Sequence, residues 1–133
     1  MSDAAAARTP GAKRAAPGEY VFDLGTVDKI MGGPAYSTAH GPCVEGDRII
    51  VGLMRMKAGT GAEPHSHPNE QWIYILEGTF RAVIDGRTIE ARPGSLIYIP
   101  ANAIHSGGAS PDGDVVFFTC KDGSYGLHGI KAT

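Results

Sequence analysis

From Tyr20 onward the chain never stays apolar for long before a glycine- or proline-bearing turn interrupts it, and this cadence constrains the fold more than any other feature. Short apolar runs occupy 48–56, 71–76, 80–84, 96–99 and 115–120. Between them lie Glu77-Gly78, Asp85-Gly86, Arg92-Pro93-Gly94 and Pro111-Asp112-Gly113. Glycine supplies positive φ and proline pre-sets its own, so each interruption reads as a turn and each run as a strand. Asp85-Gly86 is the strongest hairpin signal. The 19 glycines and 9 prolines would break most helices, and no stretch keeps apolar residues at i, i+3, i+4 and i+7. The expected class is all-β. The segment "VDKIMGGPAYST" has room for one helical turn at most, around 27–31, before Gly-Gly-Pro stops it, and is expected to lie as a lid or edge.

With 133 residues, 42% of them hydrophobic, the chain is long enough for one core, and a single domain over 20–133 is expected. Residues 1–19 hold small residues and two prolines broken by Asp3, Arg8, Lys13 and Arg14, which reads as a flexible arm. The charges also deny this stretch the apolar core of a signal peptide, so a cytoplasmic protein is expected. A net charge of −2 with no basic stripe offers nothing to nucleic acid, and no run is long enough to span a bilayer. Cys43 and Cys120 lack Cys-x-x-Cys spacing and read as buried thiols.

The stretch "HSHPNEQ" carries the chemistry. Side chains alternate along a strand, so His65 and His67 point the same way with Ser66 opposite, whereas on a helix they would diverge. Pro64 and Pro68 bracket the pair, exclude a helix and mark strand ends. After the bend the chain re-enters an apolar strand at Gln71, which can face back toward the histidines. Glu70 is one residue out of phase, and a one-residue slip sends a strand side chain to the opposite face. His105 follows the run 96–99 and the turn Pro100-Ala101-Asn102. Three imidazoles and one oxygen donor suit a single divalent Fe, Mn, Ni, Cu or Zn, and the donor set does not choose among them.

"GTGAEPHSHPNEQWIYILEG" resembles the first motif of the cupins, with Gly59, His65, His67 and Gly78 in register. "GSLIYIPANAIH" resembles the second, with Gly94, Pro100 and His105. The likeness runs from Met54 to about Gly108. It implies a double-stranded β-helix, a jelly-roll barrel, with His65, His67, Gln71 and His105 as metal ligands. Counting back from Gly78 places the family's usual glutamate at 71, here glutamine, as in a subgroup with His-x-His-Pro-x-Glu-Gln. Asn102 stands where the second motif usually has glycine; Asn also accepts left-handed angles. Ala109 replaces a usual asparagine that is not a ligand. The neutral amide leaves a bound dication less neutralised and so attractive to anions, which implies a small anionic or oxygen-rich substrate.

Strand parity from Gln71 places Ile73 and Ile75 toward the interior, and parity from His65 places Glu63 there as a candidate base. Arg55 and Arg81 are candidate carboxylate clamps. Trp72, Tyr74 and Leu76 face outward, and the simplest cover for that row is a second copy, giving a homodimer; the segment around Tyr20, Val21 and Phe22 is the alternative. Three functional classes follow: a metal-dependent dioxygenase, a non-redox Lewis-acid isomerase, cyclase or lyase, and a small-molecule binding module. One member of the glutamine subgroup opens unsaturated uronate rings, but its downstream Asp and Arg find no match in "VVFFTCKDG".

Overall fold

The computed structural model describes residues 8–132. Among them run twelve strands: β1 (Lys13–Arg14), β2 (Lys29–Met31), β3 (His40–Glu45), β4 (Ile49–Met56), β5 (Gly61–Ser66), β6 (Gln71–Glu77), β7 (Phe80–Ile84), β8 (Arg87–Ala91), β9 (Leu96–Ile99), β10 (His105–Ala109), β11 (Val115–Asp122) and β12 (Ile130–Lys131). The runs expected at 80–84 and 96–99 are β7 and β9 residue for residue; the other three differ from β4, β6 and β11 by one or two residues at an end.

Hydrogen bonding runs in two sheets. The seven-stranded sheet has the order β1-β3-β4-β11-β6-β9 with β2 added on β3, and the five-stranded sheet has the order β12-β5-β10-β7-β8. Together they make the expected jelly roll. Alternation explains which residues fill it: Ile73 and Ile75 of β6, Ile97 and Ile99 of β9 and Phe117 of β11 are buried, while Trp72, Tyr74, Leu96 and Tyr98 are exposed. Phe80 of the smaller sheet meets Phe117 of the larger, ring centroids 6.0 Å apart. The β6–β7 turn needs glycine, because Gly78 has φ +79° and a Cβ there would stand 2.2 Å from the Asp114 carbonyl oxygen. Asn102 has φ +66°, the left-handed angle expected of it.

Two expectations change. The helical turn is a 3₁₀ turn at Leu24–Thr26, ahead of 27–31, because Asp23 caps it there by accepting the Gly25 N–H at 3.0 Å; Lys29–Met31 is instead an edge strand on β3. Residues 8–15, expected as part of a free arm, are bound to the larger sheet. Fully buried Glu45 accepts the backbone N–H of Arg8 at 2.6 Å and of Thr9 at 3.3 Å, and β1 pairs in parallel with β3. A buried carboxylate needing partners holds this segment, so its low hydrophobicity gave no sign of it. Residues 1–7 of the expected arm lie outside the described residues. Among the described residues no helix is long and apolar enough to cross a membrane.

Candidate metal centre

His65 sits near the end of β5, His67 in the bend beyond it, and His105 opens β10. β10 pairs antiparallel with β5 so that His105 and His65 are register partners, which brings residues 40 positions apart to one point. Ring centroids are 4.1 Å apart for His65 and His105, 4.9 Å for His67 and His105, and 6.1 Å for His65 and His67. One nitrogen from each ring lies within 4.8 Å of the others, an arrangement compatible with a metal ion.

All three rings are held in the same way. Nδ1–H of His65 donates to the Glu63 carbonyl at 2.7 Å, that of His67 to the Asn69 carbonyl at 2.8 Å, and that of His105 to the Ala103 carbonyl at 2.9 Å. A carbonyl only accepts, so the proton is fixed on Nδ1 and the Nε2 lone pair is left for a ligand bond. Burial, reinforced by the neighbouring His105, pushes His65 down to about 3; burial followed by the charge of Lys121 pushes His67 down to about 4; burial lowers His105 as well. The rings are therefore neutral near pH 7, as metal ligation requires.

Gln71, the first residue of β6, is buried and turned toward this cluster. Its Nε2 donates to Thr119 Oγ1 at 2.8 Å, and the Thr119 hydroxyl donates onward to the Trp72 carbonyl at 3.1 Å. That chain aims the amide oxygen at His67 Nε2, 3.0 Å away. Two lone pairs then face each other across a hydrogen-bond distance. A cation beside them turns this repulsion into attraction, so the donor set fits a metal. Glu70 is exposed on the opposite face, where its carboxylate accepts from the Tyr98 hydroxyl.

The cluster opens on a small, mostly apolar-walled cavity of about 60 Å3. His65, His105, Gln71 and the expected Ile73 line it. Ile75 is buried in the core but does not reach the cavity wall. Arg55 lies on the outer face of β4 and pairs with Asp114 at 3.1 Å; Arg81 lies outside β7 and pairs with Glu90 at 3.1 Å. Neither guanidinium lines the cavity, because each alternates with buried neighbours, Met54 and Met56 for Arg55, Phe80 and Ala82 for Arg81. Glu63 is exposed and pairs with Lys131 at 3.3 Å, so its carbonyl orients His65 while its carboxylate stays outside.

Tyr36, Leu127 and Lys121 stand out among the cavity residues that were not anticipated. Tyr36 stacks on His65 with centroids 4.2 Å apart, and its hydroxyl accepts the Gly129 N–H at 2.7 Å. Leu127 comes from the Gly-rich tail and plugs the wall; its N–H donates to Thr9 Oγ1 at 2.7 Å, while Asn69 Nδ2 holds the adjacent Gly126 carbonyl at 2.9 Å. Lys121, only 4% exposed, is the register partner of Gln71 and donates to the Leu127 carbonyl. Burial pushes its ammonium down to about 7. Burial alternates along β11 from Phe117 through Thr119 to Lys121, but "VVFFTC" is apolar on both faces and gave no sign of it.

The family model described as the cupin domain matches residues 52–120. The chain is a cupin. Among curated proteins it is 34% identical over 65 residues to dimethylsulfoniopropionate lyase DddW of Ruegeria pomeroyi, covering 49% of this chain and 43% of the lyase. It is 27% identical over 89 residues to quercetin 2,3-dioxygenase of Bacillus subtilis, covering 65% of this chain and 26% of the dioxygenase. The cupin chain thus spans less than half the length of these curated relatives. Among solved structures it resembles KdgF from Halomonas sp., with TM-score 0.67, 18% identity, and coverage of 78% of this chain and 93% of that one. It also resembles the polyketide cyclase RemF from Streptomyces resistomycificus, with TM-score 0.67, 24% identity and coverage of 77% and 78%. At those identities the two structures speak for the fold alone.

Proposed function

We propose that this cupin is a cytoplasmic metal-dependent enzyme holding one divalent transition ion on His65, His67, His105 and Gln71, and acting on a small anionic or oxygen-rich molecule. The observation that carries the reading is the facing pair of His67 Nε2 and Gln71 Oε1 beside two further imidazoles whose protons are fixed away from the centre. A bound ion would supply Lewis acidity and open positions for substrate oxygens. The protein's part is to keep the imidazoles neutral, aim the amide oxygen through Thr119, and surround the substrate with Met54, Met56, Phe80 and Phe117. The match to a dioxygenase supports an oxygen-consuming reaction. The match to a lyase, together with a neutral fourth donor, supports non-redox Lewis-acid chemistry as the second reading.

Elemental analysis of freshly purified protein, followed by oxygen-electrode assays with diketones, catechols and hydroxy acids, tests the reading. Iron with substrate-dependent oxygen uptake supports the dioxygenase. Another metal, or turnover without uptake, supports the isomerase, cyclase or lyase class. Protein that neither carries nor takes up a divalent metal refutes the proposal. The working form is read as a homodimer, supported by the outward row of Trp72, Tyr74 and Leu76, 43%, 42% and 44% exposed. Tyr20 and Val21, at 87% and 89% exposed, do not lie over that row within the chain.

A further inference from the structure

Lys121 has no part in the metal reading, yet it is among the most buried polar groups of the molecule and lines the same cavity. It lies one residue beyond the span matched to the family. Its recorded partner is one backbone carbonyl, that of Leu127, which takes one of three N–H donors. Among the described residues it forms no ion pair. No aspartate or glutamate lines the cavity, whose remaining polar groups are imidazoles, an amide, hydroxyls and backbone. A dication on the histidines would add a second positive centre to this cavity. Like charges in a poorly screened cavity destabilise each other, and a buried ammonium without a counter-charge is costly. An anion seated beside Lys121 would supply the counter-charge that no side chain of the cavity wall provides.

We propose that Lys121 receives the anionic end of the substrate, and that the substrate is a small carboxylate with an uncharged, apolar body. This rests on the metal reading above and narrows its substrate class. A carboxylate accepts from an ammonium in a short, charge-assisted bond and supplies the absent negative charge. The rest of the wall, including Met54, Met56, Ile73, Phe80 and Phe117, offers apolar contact. A second, positive group on the ligand would meet no acid there, so zwitterions bind poorly.

Butyrate, butyramide and 4-aminobutyrate share one chain and differ only in charge, and ligand-observed NMR titration reads their affinities for the full chain, chelator-stripped and zinc-loaded. In the stripped protein, where no metal contributes, butyrate is expected to bind about tenfold tighter than either analogue, the scale of one hydrogen bond between charged groups. Lys121→Met should erase that preference, lower butyrate affinity at least fivefold in the loaded protein, and leave zinc per chain unchanged. It should not lower the melting temperature, since an apolar chain of similar length replaces a buried ammonium. Lys121→Gln serves as a second variant, with the same loss expected. Butyrate affinity within twofold of wild type in both variants overturns the proposal, and a fall in melting temperature alongside it would assign Lys121 to anchoring the tail through Leu127. Wild-type protein that binds no zinc but keeps the butyrate preference refutes the metal reading and upholds this one; stripped protein that binds butyrate no better than butyramide refutes this one.

Discussion

The two sheets bring different chemistry to one cavity. The five-stranded sheet and the bend after its β5 strand contribute the imidazoles, each pinned through Nδ1 to a carbonyl two residues away. The seven-stranded sheet contributes an amide, a hydroxyl and an ammonium, Gln71, Thr119 and Lys121, placed by pairing between β6 and β11. The first set is oriented locally and the second by strand register, so damage to each should read out differently: loss of an imidazole removes metal, whereas loss of a larger-sheet group changes how the site is tuned.

The largest expected effect breaks the first side of that contrast. His65→Ala, His67→Ala or His105→Ala should each weaken metal retention on the order of a hundredfold, seen as loss of metal per chain after dialysis. Gln71→Ala should cost about tenfold, and Glu70→Ala nothing measurable. Equal losses from Glu70→Ala and Gln71→Ala would dissolve the distinction between the two faces of β6. Chelation comes next. A ligand bound only by the folded state, at about a thousand times its Kd, adds roughly 4 kcal/mol. For a chain of this size, stripping the metal should lower Tm by roughly 10 °C or more in scanning calorimetry; a Tm indifferent to complete removal speaks against a site built by the fold.

The pH dependence of the stripped protein sharpens the comparison further. Each imidazole titrates at 6.5 when unfolded and lower when folded, so the unfolded chain binds the extra proton. The stabilisation is therefore complete above pH 6.5 and is lost as pH falls, toward 4 for His67 and toward 3 for His65. For His67 alone the loss is on the order of 3 kcal/mol, measurable by urea unfolding at several pH values. Flat stability over that window would mean that the rings are protonated in the native state. The smallest effect concerns the outer face of β6. Tyr74→Glu should change the stability of one chain by less than about 0.5 kcal/mol while shifting the light-scattering mass toward a monomer. A wild type that is already monomeric at high concentration removes the dimer from the reading.

Local signals carried His65, His67 and Gln71 into the sequence, and non-local register hid Thr119 and Lys121. His65, His67 and Gln71 could be placed because spacing, flanking prolines and parity all lie within "HSHPNEQ". Lys121 could not, since its nearness to Gln71 depends on a β6–β11 pairing across 50 positions. Parity misplaced Glu63, two residues before His65, because β5 does not hold one buried face along its length: its pattern runs from half-buried Gly61 through exposed Glu63 and Pro64 to buried His65. β10 escaped notice as a strand because "HSGGA" lacks β-branched residues. The glycines are there for clearance, since a Cβ on Gly108 would lie 2.3 Å from the Thr60 carbonyl oxygen. Arg55 was legible in hindsight, lying between two inward methionines.

The bond from Leu127 to Thr9 spans 118 positions. Because Leu127 also walls the cavity, the pocket cannot close during synthesis until a segment beyond the last of the three histidines has emerged and found the start of the described chain. His65, His67, Gln71 and His105 are all translated earlier. On the proposed metal reading, an ion could therefore meet the ligands before the wall at Leu127 closes over them, and the cell's supply at that moment would then weigh beside equilibrium affinity.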